Sequence, residues 1–99
     1  MIIEFDGKKT IKDYLSENPK MVLNFHATWC GPCQALGAML KEHFANDITI
    51  LRVDIDKFRD LAVEYSVRGV PTMFLYNNSE IVDKQVGYIE EAQFRSWIK

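Results

Sequence analysis

The sequence predicts an α/β fold, three-layered α/β/α with a central mixed β-sheet and four helices. Three observations lead there. Strand-length apolar runs alternate with helix-spaced apolar stripes in the order β-α-β-α-β-α-β-β-α, the pattern of a largely parallel sheet with helices on both faces. The inner runs "KMVLNFHA" (20–27) and "ITILRVD" (48–54) are mostly apolar rather than alternating, as strands covered on both faces are. Near the end, "TMFLY" (72–76) and "EIVDKQV" (80–86) flank a polar "NNS", which predicts a hairpin and so an antiparallel portion of the sheet.

Each element has its own signal. "MIIEF" (1–5) reads as a short first strand. "TIKDYLSEN" (10–18) follows, with Thr10 and Asp13 in capping-box spacing and Ile11, Tyr14 and Leu15 on one helical face. Asn18-Pro19 ends it, because the residue before proline disfavours helix. The second helix carries Leu36, Met39, Leu40 and Phe44 as its stripe. "KFRDLAVEYS" (57–66) predicts a third, through Phe58, Leu61, Ala62 and Tyr65. Asp83 and Lys84 suit the last strand to a sheet edge, where charge resists aggregation. Phe94, Trp97 and Ile98 line a final helix. Ser79, in the hairpin turn, leaves the turn type open, since such turns favour glycine.

The whole chain sets bounds. Ninety-nine residues predict a single domain, 1–99, with one adequate core. A net charge of −2 with no basic cluster gives no attraction for nucleic acid or anionic lipid. The start shows no basic segment followed by an apolar one, as a secretory signal has, and no run approaches the ~20 apolar residues of a membrane span. The expectation is therefore a cytoplasmic protein, in a compartment that keeps thiols reduced.

The chain has two cysteines, Cys30 and Cys33, in "NFHATWCGPCQAL" (24–36) at a strand-to-helix junction. Three readings are open: thiol–disulfide exchange, metal ligation and simple packing. Residues i and i+3 of a first helical turn lie about 5–6 Å apart, within disulfide reach. The helix start offers unpaired N–H groups and the positive end of the dipole, both of which favour thiolate. Pro32 is tolerated in a first turn, and Gly31 keeps the approach to Cys30 open. A zinc site needs four ligands, and only His26 and His43 could join the thiols; their spacing from the cysteines is not that of a zinc finger. His43, near the apolar stripe of its helix, reads as a boundary packing residue.

"ATWCGPC" (27–33) resembles the active site of the thioredoxin family, and the likeness runs along the chain through "RVDID" (52–56), "VRGVPTMFLY" (67–76) and "VGYIEEAQF" (86–94). The resemblance implies the thioredoxin fold and reduction of protein disulfides by dithiol exchange. Cys30 would be the exposed attacking thiolate and Cys33 the shielded resolving thiol. Trp29 would cover one side of the site, and Pro71 would be a cis proline. The backbone at Val70, Pro71 and Thr72 would pair with an extended substrate segment, which Gly87 lets approach closely and Tyr88 flanks. The Gly-Pro between the cysteines resembles reducing members more than oxidases or isomerases. The resemblance also implies a thioredoxin reductase as electron donor, disulfide-bearing protein substrates, no metal or organic cofactor, and a monomer. Two other functions remain: a thioredoxin-fold subunit that docks a partner without turnover, and a disulfide oxidase or isomerase.

The sequence departs from the family at three polar positions. Asn24 stands where many members carry a buried aspartate, which serves as proton acceptor for the resolving thiol. An amide cannot accept that proton. His26 stands where an aromatic is common; it is either a ring filling that space or a proton relay replacing the acid. Strand alternation puts Asn24 and His26 on one face. Arg52 falls where a lysine is common, and with no acid at position 24 its head is expected to reach water.

Overall fold

Asn24 sits at the middle of β2 (Met21–His26), a strand in which every residue is buried. It is covered because the sheet runs past it on both sides and helices lie on both faces. A computed structural model describes all residues 1–99. β1 (Ile2–Glu4), β2, β3 (Thr49–Asp54), β4 (Thr72–Asn77) and β5 (Glu80–Val86) form one five-stranded sheet in the order β1-β3-β2-β4-β5. β1, β3 and β2 are parallel, whereas β4 runs antiparallel to β2, and β5 to β4. The sheet is mixed, and this is the thioredoxin fold.

Strand alternation divides the core between the faces. Val22, Ile50, Met73 and Leu75 pack with Leu36 and Leu40 of α2 (Gly31–His43), with Phe44 at its C-cap and with Phe94 of α4 (Glu91–Trp97). Leu23, Phe25, Leu51, Val53 and Phe74 face the other way, onto Tyr14 and Leu15 of α1 (Ile11–Glu17). Leu61 and Tyr65, at α3 (Arg59–Glu64), close the same side. Polar side chains replace the apolar series where it approaches the C-terminal ends of β2 and β3, at Asn24, His26, Arg52 and Asp54.

The capping box forms as its spacing requires: the Asp13 N–H donates to Thr10 Oγ1 at 3.1 Å, and the Thr10 N–H to Asp13 Oδ2 at 2.9 Å. α3 is shorter than the 57–66 stripe predicts, covering Arg59–Glu64. Phe58, its N-cap, has no side-chain oxygen to accept the free N–H groups of the first turn. At the far end Ser66 takes φ 55°, which stops the helix. Between β4 and β5, Asn78 and Ser79 take φ 53° and 63°, the two left-handed residues of a type I′ turn. Ser79 tolerates that geometry while its N–H donates to the Pro19 carbonyl at 2.9 Å. β5 is one edge strand, with a bulge opposite Leu75 and Tyr76, and β1 is the other. No helix is long and apolar enough to cross a membrane.

Candidate functional site

The chain leaves β2 at His26, turns through residues 27–29, and enters α2 with Cys30 as N-cap. The turn is tied down twice: the Cys30 N–H donates to the Ala27 carbonyl at 3.2 Å, and Gln34 Nε2 to the Thr28 carbonyl at 2.7 Å. Cys30 and Cys33 form a disulfide, with Cα atoms 5.2 Å apart. The Cys33 N–H donates to the Cys30 sulfur at 3.2 Å, filling the role a serine or aspartate has at an N-cap. That donor, with the dipole of a thirteen-residue helix behind it, stabilises negative charge on Cys30 when the bond is reduced. Pro32 occupies the first turn without removing a needed donor.

Both sulfurs are covered in this oxidised state: Cys30 is 6% exposed and Cys33 1%. Cys30 is thus less open than an exposed thiolate would be, because Ala27, Ile55 and Val70 pack around the pair. Its approach is nonetheless clear at Gly31, where a Cβ would meet no atom within 4 Å. The Val70 carbonyl oxygen lies 3.6 Å from the Cys30 sulfur. The Val70–Pro71 peptide is cis, Thr72 Oγ1 donates to the Gly69 carbonyl at 2.6 Å, and the Gly87 N–H donates to the Pro71 carbonyl at 2.8 Å. Gly87 has φ 91°, a conformation that a side chain would strain. Tyr88 beside it is exposed. Trp29 stands out at 69% exposed, its indole N–H donating to Asp56 Oδ2 at 2.8 Å. The Asp56 N–H in turn donates to Asp54 Oδ1 at 2.9 Å.

Asn24 and His26 do share a face, but neither side chain is hydrogen-bonded to a sulfur. Asn24 Oδ1 accepts from Arg52 Nε at 3.1 Å, and its Nδ2 donates to the Phe25 carbonyl at 3.3 Å. His26 Nε2 lies 3.3 Å from Glu4 Oε2; a carboxylate only accepts, so the proton is on Nε2. Burial pulls the His26 imidazole below its ordinary 6.5, the Arg52 charge acts the same way, and Glu4 opposes both. The ring is therefore neutral at neutral pH.

Arg52 corrects the expectation that its head reaches water. Its side chain is 8% exposed, and Nη1 pairs with Glu4 Oε1 at 3.4 Å. Burial draws the guanidinium below its usual range and Glu4 restores part of this, but an arginine stays charged. It can stay inside because Asn24 accepts from Nε, Glu4 supplies the opposite charge, and Gly37 leaves room. A Cβ on Gly37 would lie 2.7 Å from Nη1.

Glu4, Asp56 and Gly37 escaped the sequence reading. Alternation from Ile2 would have put Glu4 on the Val22–Asn24 face, but its pairing with Arg52 needed the β1–β3 register, which no local pattern fixes. Gly37 did carry a signal, since a glycine inside a helix normally marks a close approach. His43 lies on the outside of α2, 3.4 Å from Glu91 and 3.7 Å from Glu42. No group of three or more His, Cys, Asp or Glu side chains is gathered as a metal site requires, so the structure does not assemble the two histidines with the thiols.

A dithiol–disulfide pair at the start of a helix, under a cis-proline loop and on this sheet, defines a thiol–disulfide oxidoreductase. The thioredoxin family model matches residues 3–99, and the chain belongs to the thioredoxin family. It is 33% identical over 95 residues to a thioredoxin of Mycoplasmoides gallisepticum, covering 94% of this chain and 95% of that one. It is 44% identical over 87 residues to the mitochondrial thioredoxin of Mus musculus, and there the match takes 85% of this chain but about half, 52%, of the relative. Among solved structures, a thioredoxin variant of Halobacterium salinarum superposes with a TM-score of 0.87 at 33% identity, covering 98% of this chain and 87% of that one. The reduced thioredoxin of Schistosoma mansoni gives 0.82 at 32% identity, covering 98% and 94%. The redox group of this family is the protein's own disulfide.

Proposed function

We propose that this protein reduces disulfide bonds in other proteins, with residues 1–99 acting as one domain and one monomer. Cys30 attacks a substrate disulfide and forms a mixed disulfide. Cys33 then attacks the Cys30 sulfur, the Cys30–Cys33 bond forms, and the substrate leaves as a dithiol. The observation that carries this reading is the Cys33 N–H aimed at the Cys30 sulfur at 3.2 Å, at the positive end of α2. That arrangement favours the reduced, thiolate form of Cys30 and so suits it to attack.

The Val70 carbonyl beside Cys30 supports an extended substrate segment pairing with the backbone at Val70, Pro71 and Thr72, with Trp29, Gly87 and Tyr88 around it. A thioredoxin reductase returns the electrons, and the protein serves electron transport and cell redox homeostasis. A reducing compartment fits this direction of flow; we place it in the cytoplasm, with the mitochondrial relatives marking the alternative.

Two assays test the reading. In insulin-type disulfide reduction the parent should turn over and Cys30→Ser should not; equal rates would favour docking without turnover. Equilibration of the dithiol with glutathione should give a potential well below that of glutathione, and a potential above it would favour an oxidase or isomerase.

A further inference from the structure

On the flank of α2, beside the redox turn, the chain leaves a cleft of about 420 Å³. Arg52, Lys41, His26, Thr28, Gln34 and Gly37 line it, and no carboxylate does. Arg52 brings a free donor to this cleft. Its side chain is 8% exposed; Nε is taken by Asn24 and Nη1 by Glu4, and Nη2 has no partner in the protein. No side-chain nitrogen is both sealed from water and unpaired, so Nη2 meets solvent. It does so at the cleft wall, for it would lie 3.0 Å from a Cβ on Gly37.

Lys41, exposed on α2, adds a second cation to the wall. Glu4 answers Arg52 from β1, and Asp54 accepts from the Asp56 N–H, but neither acid borders the cleft. His26 supplies the opposite kind of group. Its Nε2 holds the proton toward Glu4, so Nδ1 carries a lone pair; it too is unpaired and therefore open to solvent. Gln34 Nε2 donates to the Thr28 carbonyl and fixes the rim. A ligand that matches this wall presents charged acceptor oxygens to two cations and, at one point, a donor to an imidazole. Sulfate and carboxylates offer acceptors alone at neutral pH. Hydrogen phosphate offers both, through its charged oxygens and its one P–OH.

We propose that this cleft is a binding site for hydrogen phosphate: Arg52 Nη2 and Lys41 hold its charged oxygens, and its P–OH donates to His26 Nδ1. The charge-assisted bonds supply affinity. The imidazole supplies selection, because a dianion without an O–H leaves Nδ1 facing an oxygen lone pair. The site goes beyond the reductase reading and stands without it.

The test is a titration of the oxidised protein with inorganic phosphate, at constant ionic strength in chloride, followed by amide chemical shifts. At about pH 8 His26 is neutral, and a phosphomonoester has lost both acidic protons, its second pKa being ~6; inorganic phosphate keeps one. Phosphate should bind saturably, in the millimolar range or tighter, and move the amides of Thr28, Gln34 and Gly37. Methyl phosphate and sulfate, dianions with no O–H, should bind about tenfold more weakly, as an unmet acceptor implies. Lys41→Gln should weaken phosphate about fivefold, the effect of one exposed ion pair, and keep its preference over sulfate. His26→Phe should abolish that preference. Absence of saturation, shifts confined to residues outside the cleft, or sulfate or methyl phosphate bound as tightly as phosphate overturns the proposal. So does unchanged affinity in Lys41→Gln, or a preference that survives in His26→Phe. Should His26→Phe fail to fold, the parent's choice among the three anions decides. No arm requires turnover, so a failed reductase reading leaves this result standing or falling by itself.

Discussion

Arg52 donates from Nε to the side-chain oxygen of Asn24 at 3.1 Å, across the paired strands β2 and β3, with both side chains buried. Family members with an acid at the position of Asn24 can balance a buried cation there directly. Here the balancing charge comes from Glu4, at the sheet edge, and the amide only orients the guanidinium.

Gly37→Ala tests how tightly that arrangement is packed. Alanine gains about 1 kcal/mol of helix propensity over glycine. The new Cβ, however, displaces a guanidinium held 2.7 Å away and strands the Asn24 oxygen, at a cost of about 1–3 kcal/mol. Urea denaturation should show a net loss of stability. In an Arg52→Met background the same substitution should stabilise, since only the propensity gain remains. Stabilisation in the parent background would mean the guanidinium moves freely.

Asp56→Ala tests the anchoring of Trp29. The indole keeps one hydrogen bond, at 2.8 Å to Asp56, in a side chain 69% exposed. Losing it should free the ring and lower kcat/KM for protein disulfides about fivefold, as one exposed hydrogen bond of ~1 kcal/mol implies. Fluorescence anisotropy in a Trp97→Phe background isolates Trp29, since the chain has two tryptophans. An unchanged anisotropy would show the ring is held by something other than Asp56.

Acid should weaken the fold through His26. Its folded-state pKa lies below the ordinary 6.5, so between those two values the unfolded chain binds a proton that the native protein does not. Stability is then fully present above about pH 6.5 and falls as the pH drops toward the folded-state value. His26→Gln should flatten that slope in urea titrations run at successive pH values. A parent that gains stability on acidification over this window would mean the Glu4 pair outweighs burial and the Arg52 charge. In parallel, superimposable pH profiles of disulfide reduction for the parent and His26→Phe would remove the ring from proton relay.

Phe94→Ala probes the docking of α4. Phe94 is fully buried, its ring 4.6 Å from that of Phe44 in an edge contact. Truncation should cost about 3–5 kcal/mol, read as a lower urea midpoint. A loss under ~1 kcal/mol would show the helix to be peripheral.

The sequence carried most of the fold because its signals are local. Apolar runs at 20–27 and 48–54, the Thr10–Asp13 cap and the hairpin flanks each act within a few residues. α3 is shorter than its stripe because the apolar positions through Phe58 say where a helix would pack, not where one can start without a cap. The dithiol was legible for the same reason: Cys30, Pro32 and Cys33 sit in one helical turn. The polar cluster was not. The sequence puts the head of Arg52 in water because its partner Glu4 is forty-eight residues away along the chain. Its seat opens only where the side chain of Gly37 is missing.

The most direct measurement asks which sulfur meets the substrate. Cys33→Ser, mixed with a disulfide-bonded protein, should accumulate a mixed disulfide, and peptide mass spectrometry should place it on Cys30. An absence of adduct, or an equal yield on Cys33 in the Cys30→Ser protein, would contradict it.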